Sequence, residues 1–202
     1  VFLKKQINKI NKKNKKNNMI NDYKYILNIG RLTKQKNQVL LIKSFKEISK
    51  RFKKLKLIIL GEGEKYDEIK NLIINLNLEN KVKLLGHTKN TYEYINRSVC
   101  LIVSSLWEDP GFVMIEASAL KKTVISSDCP SGPKEFFDNG RTGFLFQNNS
   151  VGSLVNNFNR FMNTKKNKIN FYIRQNYKKS LDYSEIAHAK NFKKLINKYE
   201  KR

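Results

Sequence analysis

Between residue 25 and about residue 146 the sequence alternates short, almost unbroken apolar runs with longer amphipathic stretches, and few folds satisfy that alternation. The runs occupy residues 25–29, 55–60, 82–85, 99–103, 123–126 and 143–146. A strand with one wet face would alternate apolar and polar residues; these do not, so they read as strands covered on both faces. Helix patterns lie between them, over 37–52, 65–76 and 112–120. In the first, Val39, Leu40, Ile42, Phe45 and Ile48 fall on one stripe, and Tyr66, Ile69, Leu72 and Ile73 do so in the second. Strand, helix and strand in strict succession require right-handed crossovers, which predicts an α/β fold with a doubly wound parallel sheet.

The flanks differ. Residues 1–24 hold eight Lys, one Asp and many Asn, with almost nothing apolar between Ile10 and Met19, and are expected to form a basic linker or disordered arm. Residues 25–150 make the sheet domain. Residues 151–202 contain three helical stretches, 151–163, 170–180 and 183–199, expected to pack on it as C-terminal helices. The chain carries 41 Lys and Arg against 17 Asp and Glu, a formal charge of +24, which draws anionic partners: phosphorylated small molecules, acidic lipid or nucleic acid. Because lysine is spread through nearly every segment, charge alone does not choose among them. No apolar stretch nears the roughly 20 residues that span a bilayer. The opening Val1-Phe2-Leu3-Lys4-Lys5 turns polar too early for a signal peptide. Cys100 and Cys129 sit in or beside apolar runs, so reduced thiols in a cytoplasmic setting are expected; with two His at these spacings they make no zinc site.

In an open parallel sheet ligands bind outside the carboxyl ends of the strands, so the loops there carry the chemistry. The first loop is Gly30-Arg31-Leu32-Thr33-Lys34-Gln35-Lys36-Asn37, immediately before a helix. Its arginine offers forked hydrogen bonds and its lysine a point charge, spaced to close on one anion. In a chain with 41 basic residues such a pair also arises by chance. The fourth run leads into Ser104-Ser105-Leu106-Trp107-Glu108-Asp109-Pro110-Gly111-Phe112-Val113, where Pro110-Gly111 predicts a tight turn before a helix starting at Phe112. The free amides and positive dipole end of that helix would point back at the sheet edge and suit a phosphate. Glu108 in the loop and Glu116 in the helix can flank a ligand from two heights, each carboxylate accepting from a sugar diol. The plainer alternative is that Glu108 and Asp109 cap the helix and Glu116 faces solvent. Against it, Glu116 stands among Val113, Met114, Ile115, Ala117 and Ala119.

Other loops are less specific. Ser127-Asp128-Cys129-Pro130-Ser131-Gly132-Pro133 is rigid and irregular, and Pro133 can open a short helix. Gly61-Glu62-Gly63-Glu64 has half of a dinucleotide fingerprint without its third glycine, and no Gly-Lys-Ser/Thr loop exists. His87 ends a strand and can line a pocket, whereas His188 falls in the last helix; both are more readily structural than catalytic.

Taken in order, these pieces resemble the donor-binding half of a group 1, family 4 glycosyltransferase. They are Asn28-Ile29-Gly30-Arg31-Leu32 with Gln35-Lys36-Asn37, Ile59-Leu60-Gly61-Glu62-Gly63, Leu85-Gly86, and Ser104-Ser105 with Glu108 and Glu116. Ser127-Asp128, Gly132, Glu135, Gly140 and Gly143-Phe144 complete the set, which runs from about residue 25 to 146. The resemblance implies the C-terminal half of a GT-B fold, with a Rossmann-like nucleotide-sugar-binding domain over 25–150. It implies retaining, metal-independent transfer of a sugar, of hexosyl type, from a nucleotide diphosphate sugar to an acceptor. Carried over by position, the implied catalytic residues are Arg31, Lys36 and Glu108. The implied donor-binding set is Gly30, Arg31, Lys36, Glu108, Gly111, Phe112, Val113 and Glu116. Arg31, Lys36 and the amides opening at Phe112 would neutralise the diphosphate, Glu108 would contact hydroxyls of the transferred sugar, and Glu116 would hold the ribose diol. No cofactor and no metal is implied beyond the donor.

The implied acceptor is a lipid-linked or cell-envelope glycan, met in the cytoplasm, with the basic leader and tail resting on the anionic inner face of the membrane. Two features depart from the family. Gly111-Phe112-Val113 stands where a Gly-Phe-Gly pattern is usual, and only the lysine-rich leader precedes the first strand where an N-terminal acceptor domain belongs. The chain is therefore expected to be half an enzyme, truncated or incomplete, and inactive in transfer without that partner domain. Its rivals are a non-catalytic nucleotide-sugar-binding module and a nucleic-acid protein. The second rests on charge alone; no recognition motif occurs and the aromatics take core positions, so no nucleic acid partner is expected.

Overall fold

The computed structural model describes residues 23–199, so the expected basic arm lies outside the described residues except for Tyr23 and Lys24. Each of the six apolar runs forms a strand: β1 (Tyr25–Ile29), β2 (Lys56–Leu60), β3 (Val82–Leu84), β4 (Cys100–Val103), β5 (Val124–Ser127) and β6 (Phe144–Phe146). The helices between and after them are α1 (Gln38–Arg51), α2 (Tyr66–Asn75), α3 (Thr91–Arg97), α4 (Phe112–Ala119), α5 (Pro133–Phe136), α6 (Val151–Asn163), α7 (Lys166–Ser180) and α8 (Glu185–Tyr199). All pairings are parallel, in the order β3-β2-β1-β4-β5-β6. From β1 the chain winds outward to β3, then returns to place β4 on the other flank of β1. That reversal is the switch point of a doubly wound sheet.

Both faces of the sheet are dry, as unbroken apolar strands require. Successive side chains alternate between two cores. Ile26, Leu57, Ile59, Cys100, Ile102 and Ile125 face α1, α2 and α6, while Leu27, Ile58, Leu60, Leu101 and Val124 face α3, α4 and α5. Leu41, Ile42 and Phe45 of α1 are fully buried, and burial of such side chains is worth about 1.5–3 kcal/mol each. Asn37 caps α1, its side chain accepting from the Leu40 amide, and Lys50 and Arg51 lie in the last turn where the helix dipole favours cations. Of the helices after residue 150, α6 packs on α1 and α7 on α4.

Two elements differ from the sequence reading. α3 was not expected: its seven residues bury only Ile95 fully, too little for an apolar stripe. Tertiary contacts hold it instead. Lys122 Nζ donates to the Asn96 and Ser98 carbonyls at 2.8 Å each, satisfying backbone at the helix end. Burial holds that amine below the ordinary lysine range. α7 begins at Lys166, four residues earlier than expected, because its first turn, Lys166-Asn167-Lys168-Ile169, carries a single apolar residue. Pro133 does open α5 at its first position. Cys100 and Cys129 are buried and unpaired, and burial pushes both thiols up.

Candidate functional site

The β1–β4 ladder ends at Leu27–Leu101. One residue further, buried Asn28 donates from its side chain to the Ile102 carbonyl at 2.9 Å, tying the two strands beneath the point where their loops separate. Above it, residues 30–37 and 104–111 are stitched together. The Leu106 amide donates to the Gln35 carbonyl (2.8 Å), Gln35 Nε2 to the Trp107 carbonyl (3.0 Å), and Ser104 Oγ to the Lys36 carbonyl (2.8 Å). The loops after β5 and β6 join in: Ser127 Oγ donates to the Ser105 carbonyl (2.6 Å) and Asn148 Nδ2 to the Leu106 carbonyl (2.9 Å). These loops are irregular yet fixed, because hydrogen bonds from one loop to the next satisfy backbone groups in each.

Within this frame Lys36 Nζ lies 2.7 Å from Glu108 Oε1. Glu108 is 6% exposed, an unusual place for a carboxylate unless it is paired. Ser105 Oγ donates to the same Oε1, so Oε2 keeps no hydrogen-bond partner among the described residues. The stem of Lys36 runs along Gly30, where an added Cβ would come 3.3 Å from Lys36 Cγ; a larger residue would crowd the lysine. The expected turn before α4 is present, with a cis Asp109–Pro110 peptide and Gly111 at φ 83°. The Met114 and Ile115 amides return to the Gly111 carbonyl at 3.0 and 3.3 Å. Gly111 supplies no capping side chain, which leaves the Phe112 and Val113 amides without an acceptor among the described residues.

Two clefts open here, side by side, sharing Ile29. The first, of about 360 Å³, lies at the switch point and is lined by Gln35, Lys36, Trp107, Glu108, Phe112 and Val113, among others. The second, of about 340 Å³, lies over β1, β2 and β3 and is lined by Gly30, Arg31, Gly61, Glu62, His87 and Thr88, among others. Arg31 is exposed, and its guanidinium has no partner among the described residues. Glu62 Oε1 accepts the His87 amide at 3.1 Å.

Of the residues singled out from the sequence, Lys36, Glu108, Gly111, Phe112 and Val113 converge on the first cleft, while Gly30 and Arg31 border the second. Arg31 and Lys36 share a loop but not a cleft, and Lys36 is engaged by Glu108, a pairing the spacing of the two cations did not suggest. Glu116 borders neither cleft. It lies one turn along α4, half-buried, and burial raises its carboxyl above the ordinary glutamate range. Tyr92 of α3 sits nearby; its hydroxyl is pushed up first by burial and then by the Glu116 charge.

Gly61 and Gly63, read as half a fingerprint, have another role. A Cβ on Gly61 would fall 2.0 Å from the Gly30 carbonyl oxygen, and one on Gly63 would fall 2.4 Å from that of Leu32. Both glycines admit the β1 loop against the β2 loop. Ser105, Gln35 and Trp107 were not read as functional, although Ser105 stands three residues before Glu108. Among the described residues no cluster of three or more His, Cys, Asp or Glu is placed to hold a metal ion, and no helix is long and apolar enough to cross a membrane.

Comparison with known proteins fits this architecture. An uncharacterised glycosyltransferase of Methanocaldococcus jannaschii is 47% identical over 118 residues, 58% of this chain and 29% of that protein. The N-acetylgalactosamine-N,N'-diacetylbacillosaminyl-diphospho-undecaprenol 4-alpha-N-acetylgalactosaminyltransferase of Campylobacter jejuni is 39% identical over 131 residues, 65% of this chain and 35% of that protein. The chain thus spans about a third of the length of these relatives. Among solved structures, Anabaena HepE in complex with UDP superposes with a TM-score of 0.78 at 20% identity, over 96% of this chain and 53% of HepE. That likeness shows a shared fold, the Rossmann-like parallel sheet of GT-B glycosyltransferases. The family model for glycosyl transferases group 1 matches residues 9–180, most of the sequence, and the chain belongs to that family.

Proposed function

We propose that this chain binds the donor for a retaining, metal-independent transfer of a hexosyl-type sugar from a nucleotide diphosphate sugar to a cell-envelope or lipid-linked glycan. The observation that carries the reading is the convergence, at the switch point of the sheet, of the Lys36 pair with buried Glu108 and two acceptorless helix amides, with exposed Arg31 in the adjoining cleft of the same loop. As the bond between the sugar C1 and the phosphate oxygen breaks, negative charge develops on the departing diphosphate. Donors fixed beforehand stabilise that charge without reorganising. Arg31 and the Phe112 and Val113 amides are free to do so. Lys36 has three donors, so it can keep Glu108 and still reach a phosphate oxygen. Glu108 Oε2 remains for a hydroxyl of the transferred sugar, and Glu116 for the ribose diol. In this reading the cations and the helix dipole do the electrostatic work that a divalent metal would do elsewhere.

The acceptor class rests on the Campylobacter relative, whose name specifies an undecaprenyl-diphosphate glycan. A cytoplasmic site against an anionic inner leaflet is consistent with the +24 charge. We further propose that transfer needs an acceptor-holding domain besides residues 23–199, since the groups named here account for the donor alone. Calorimetry with UDP- and GDP-linked sugars, followed by labelled transfer to a polyprenyl-diphosphate glycan with and without a chelator, tests this. Donor binding that ignores the chelator and falls at least about tenfold in Arg31→Ala is expected, as loss of a charge-assisted contact implies. Absence of binding by any nucleotide sugar overturns the reading. Binding without transfer, even beside an acceptor domain, leaves a non-catalytic nucleotide-sugar module.

A further inference from the structure

Several core aromatics pair with one another edge to face, as Phe52 with Phe158 and Phe144 with Tyr172. Two exposed rings at the first cleft do not. Trp107 is 49% exposed and Phe112 is 64% exposed, both line the first cleft, and neither has a ring partner among the described residues. Exposure of Trp107 is not the result of a loose loop. Its own carbonyl accepts from Gln35 Nε2, and the preceding Leu106 is held through both its amide and its carbonyl. Phe112 is anchored as the first residue of α4. Beside these rings stand polar groups: the exposed Asp109 carboxylate, the Gln35 amide and, deeper, Glu108. Two apolar faces on a rigid backbone, rimmed by hydrogen-bond acceptors and a donor, match a pyranose ring. Such a ring has a face of polarised C–H bonds, which meets the negative face of an aromatic, and an edge of hydroxyls.

We propose that Trp107 and Phe112 form a carbohydrate platform at the mouth of the first cleft, positioning a pyranose ring with its hydroxyls toward Asp109 and Gln35. This deepens the donor-binding reading and rests on it for the chemistry of the neighbouring cleft. The ring can belong to the transferred sugar or to the acceptor, and the test separates the two.

Trp107 is the sole tryptophan of the chain, so intrinsic fluorescence excited at the red edge reports on this spot alone. The full chain is titrated with UDP, with UDP-glucose and UDP-N-acetylglucosamine, and with the methyl glycosides of both sugars. If the platform holds the transferred sugar, a sugar nucleotide changes the Trp107 emission beyond the change UDP alone produces. If it holds the acceptor, a methyl glycoside changes it without nucleotide. Saturation-transfer NMR then shows that Trp107→Ala weakens the responding sugar about five- to tenfold, while Trp107→Phe, which keeps a ring, recovers most of the loss. Emission that follows UDP only, or responds to no sugar-bearing probe, overturns the platform. Failure of UDP to bind by calorimetry instead counts against the donor reading, and the methyl glycosides still decide the platform.

Discussion

In the cleft between the β1 and β4 loops the ionised groups on the floor are already committed: Lys36 to Glu108, and Glu108 to Lys36 and Ser105. In the neighbouring cleft over β1, β2 and β3 the cation, Arg31, stands in solvent with its guanidinium unengaged among the described residues. Both clefts border the same strand end, and Gly61 and Gly63 let the β1 loop, which lines both, lie against the β2 loop. The difference separates two tasks. A buried ion pair holds geometry, because breaking it leaves a desolvated charge behind, whereas an exposed cation costs little to keep and is ready for an anion. On the proposed reading the first cleft serves positioning and the second capture, with the amides of Phe112 and Val113 on the positioning side.

The largest expected effect breaks both clefts together. Gly61→Ala, at φ 139°, brings a methyl group into the Gly30 carbonyl and should cost about 3–4 kcal/mol, or roughly 10 °C in Tm, by calorimetry. Nucleotide binding should fail with it, since the β1 loop carries Arg31 and Lys36. A milder substitution sharpens the contrast. Lys36→Met strands the buried Glu108 and should lower stability by about 1–3 kcal/mol in urea, below the full cost of breaking a buried pair because Lys36 is partly solvated. Arg31→Met should change stability by no more than about 0.5 kcal/mol, while weakening UDP at least about tenfold. Equal losses of stability in the two variants would erase the distinction.

The smallest effect is a pH profile. Burial raises the Glu116 carboxyl above its ordinary value of 4.5, so the free protein protonates it at a less acidic pH than an exposed glutamate. A diol donates to the carboxylate and favours that form, hence binding releases a proton. Affinity is then full above the raised pKa and is lost as pH falls through it. UDP affinity measured from neutral pH down should begin to fall above pH 4.5, and Glu116→Gln should flatten that slope, with an affinity about three- to fivefold weaker at neutral pH. An unchanged slope in the variant would detach Glu116 from the site.

The strands were legible in the sequence because a strand buried on both faces needs a run of apolar residues, and Tyr25-Ile26-Leu27 or Cys100-Leu101-Ile102-Val103 serve no other structure as well. The helix at Phe112 was legible from Pro110-Gly111 and the apolar residues beyond. What escaped was relational. Lys36 and Glu108 are 72 residues apart, and only the placement of β4 beside β1 brings them to 2.7 Å. Gly61 and Gly63 take their meaning from a loop thirty residues upstream, whose carbonyls fill the space a side chain would need. α3 escaped for the opposite reason: its support comes from Lys122, in the loop between α4 and β5, not from its own pattern.

The most direct test of the central claim, that a nucleoside diphosphate binds where the β1 and β4 loops meet, is an amide NMR titration of the chain with UDP. The account predicts that the Gly30, Arg31, Phe112 and Val113 amides shift together and saturate together, while Lys24, Lys81 and Thr123, at the opposite edge of the sheet, stay where they are. Saturable binding that moves the opposite edge and leaves those four amides unmoved would contradict it.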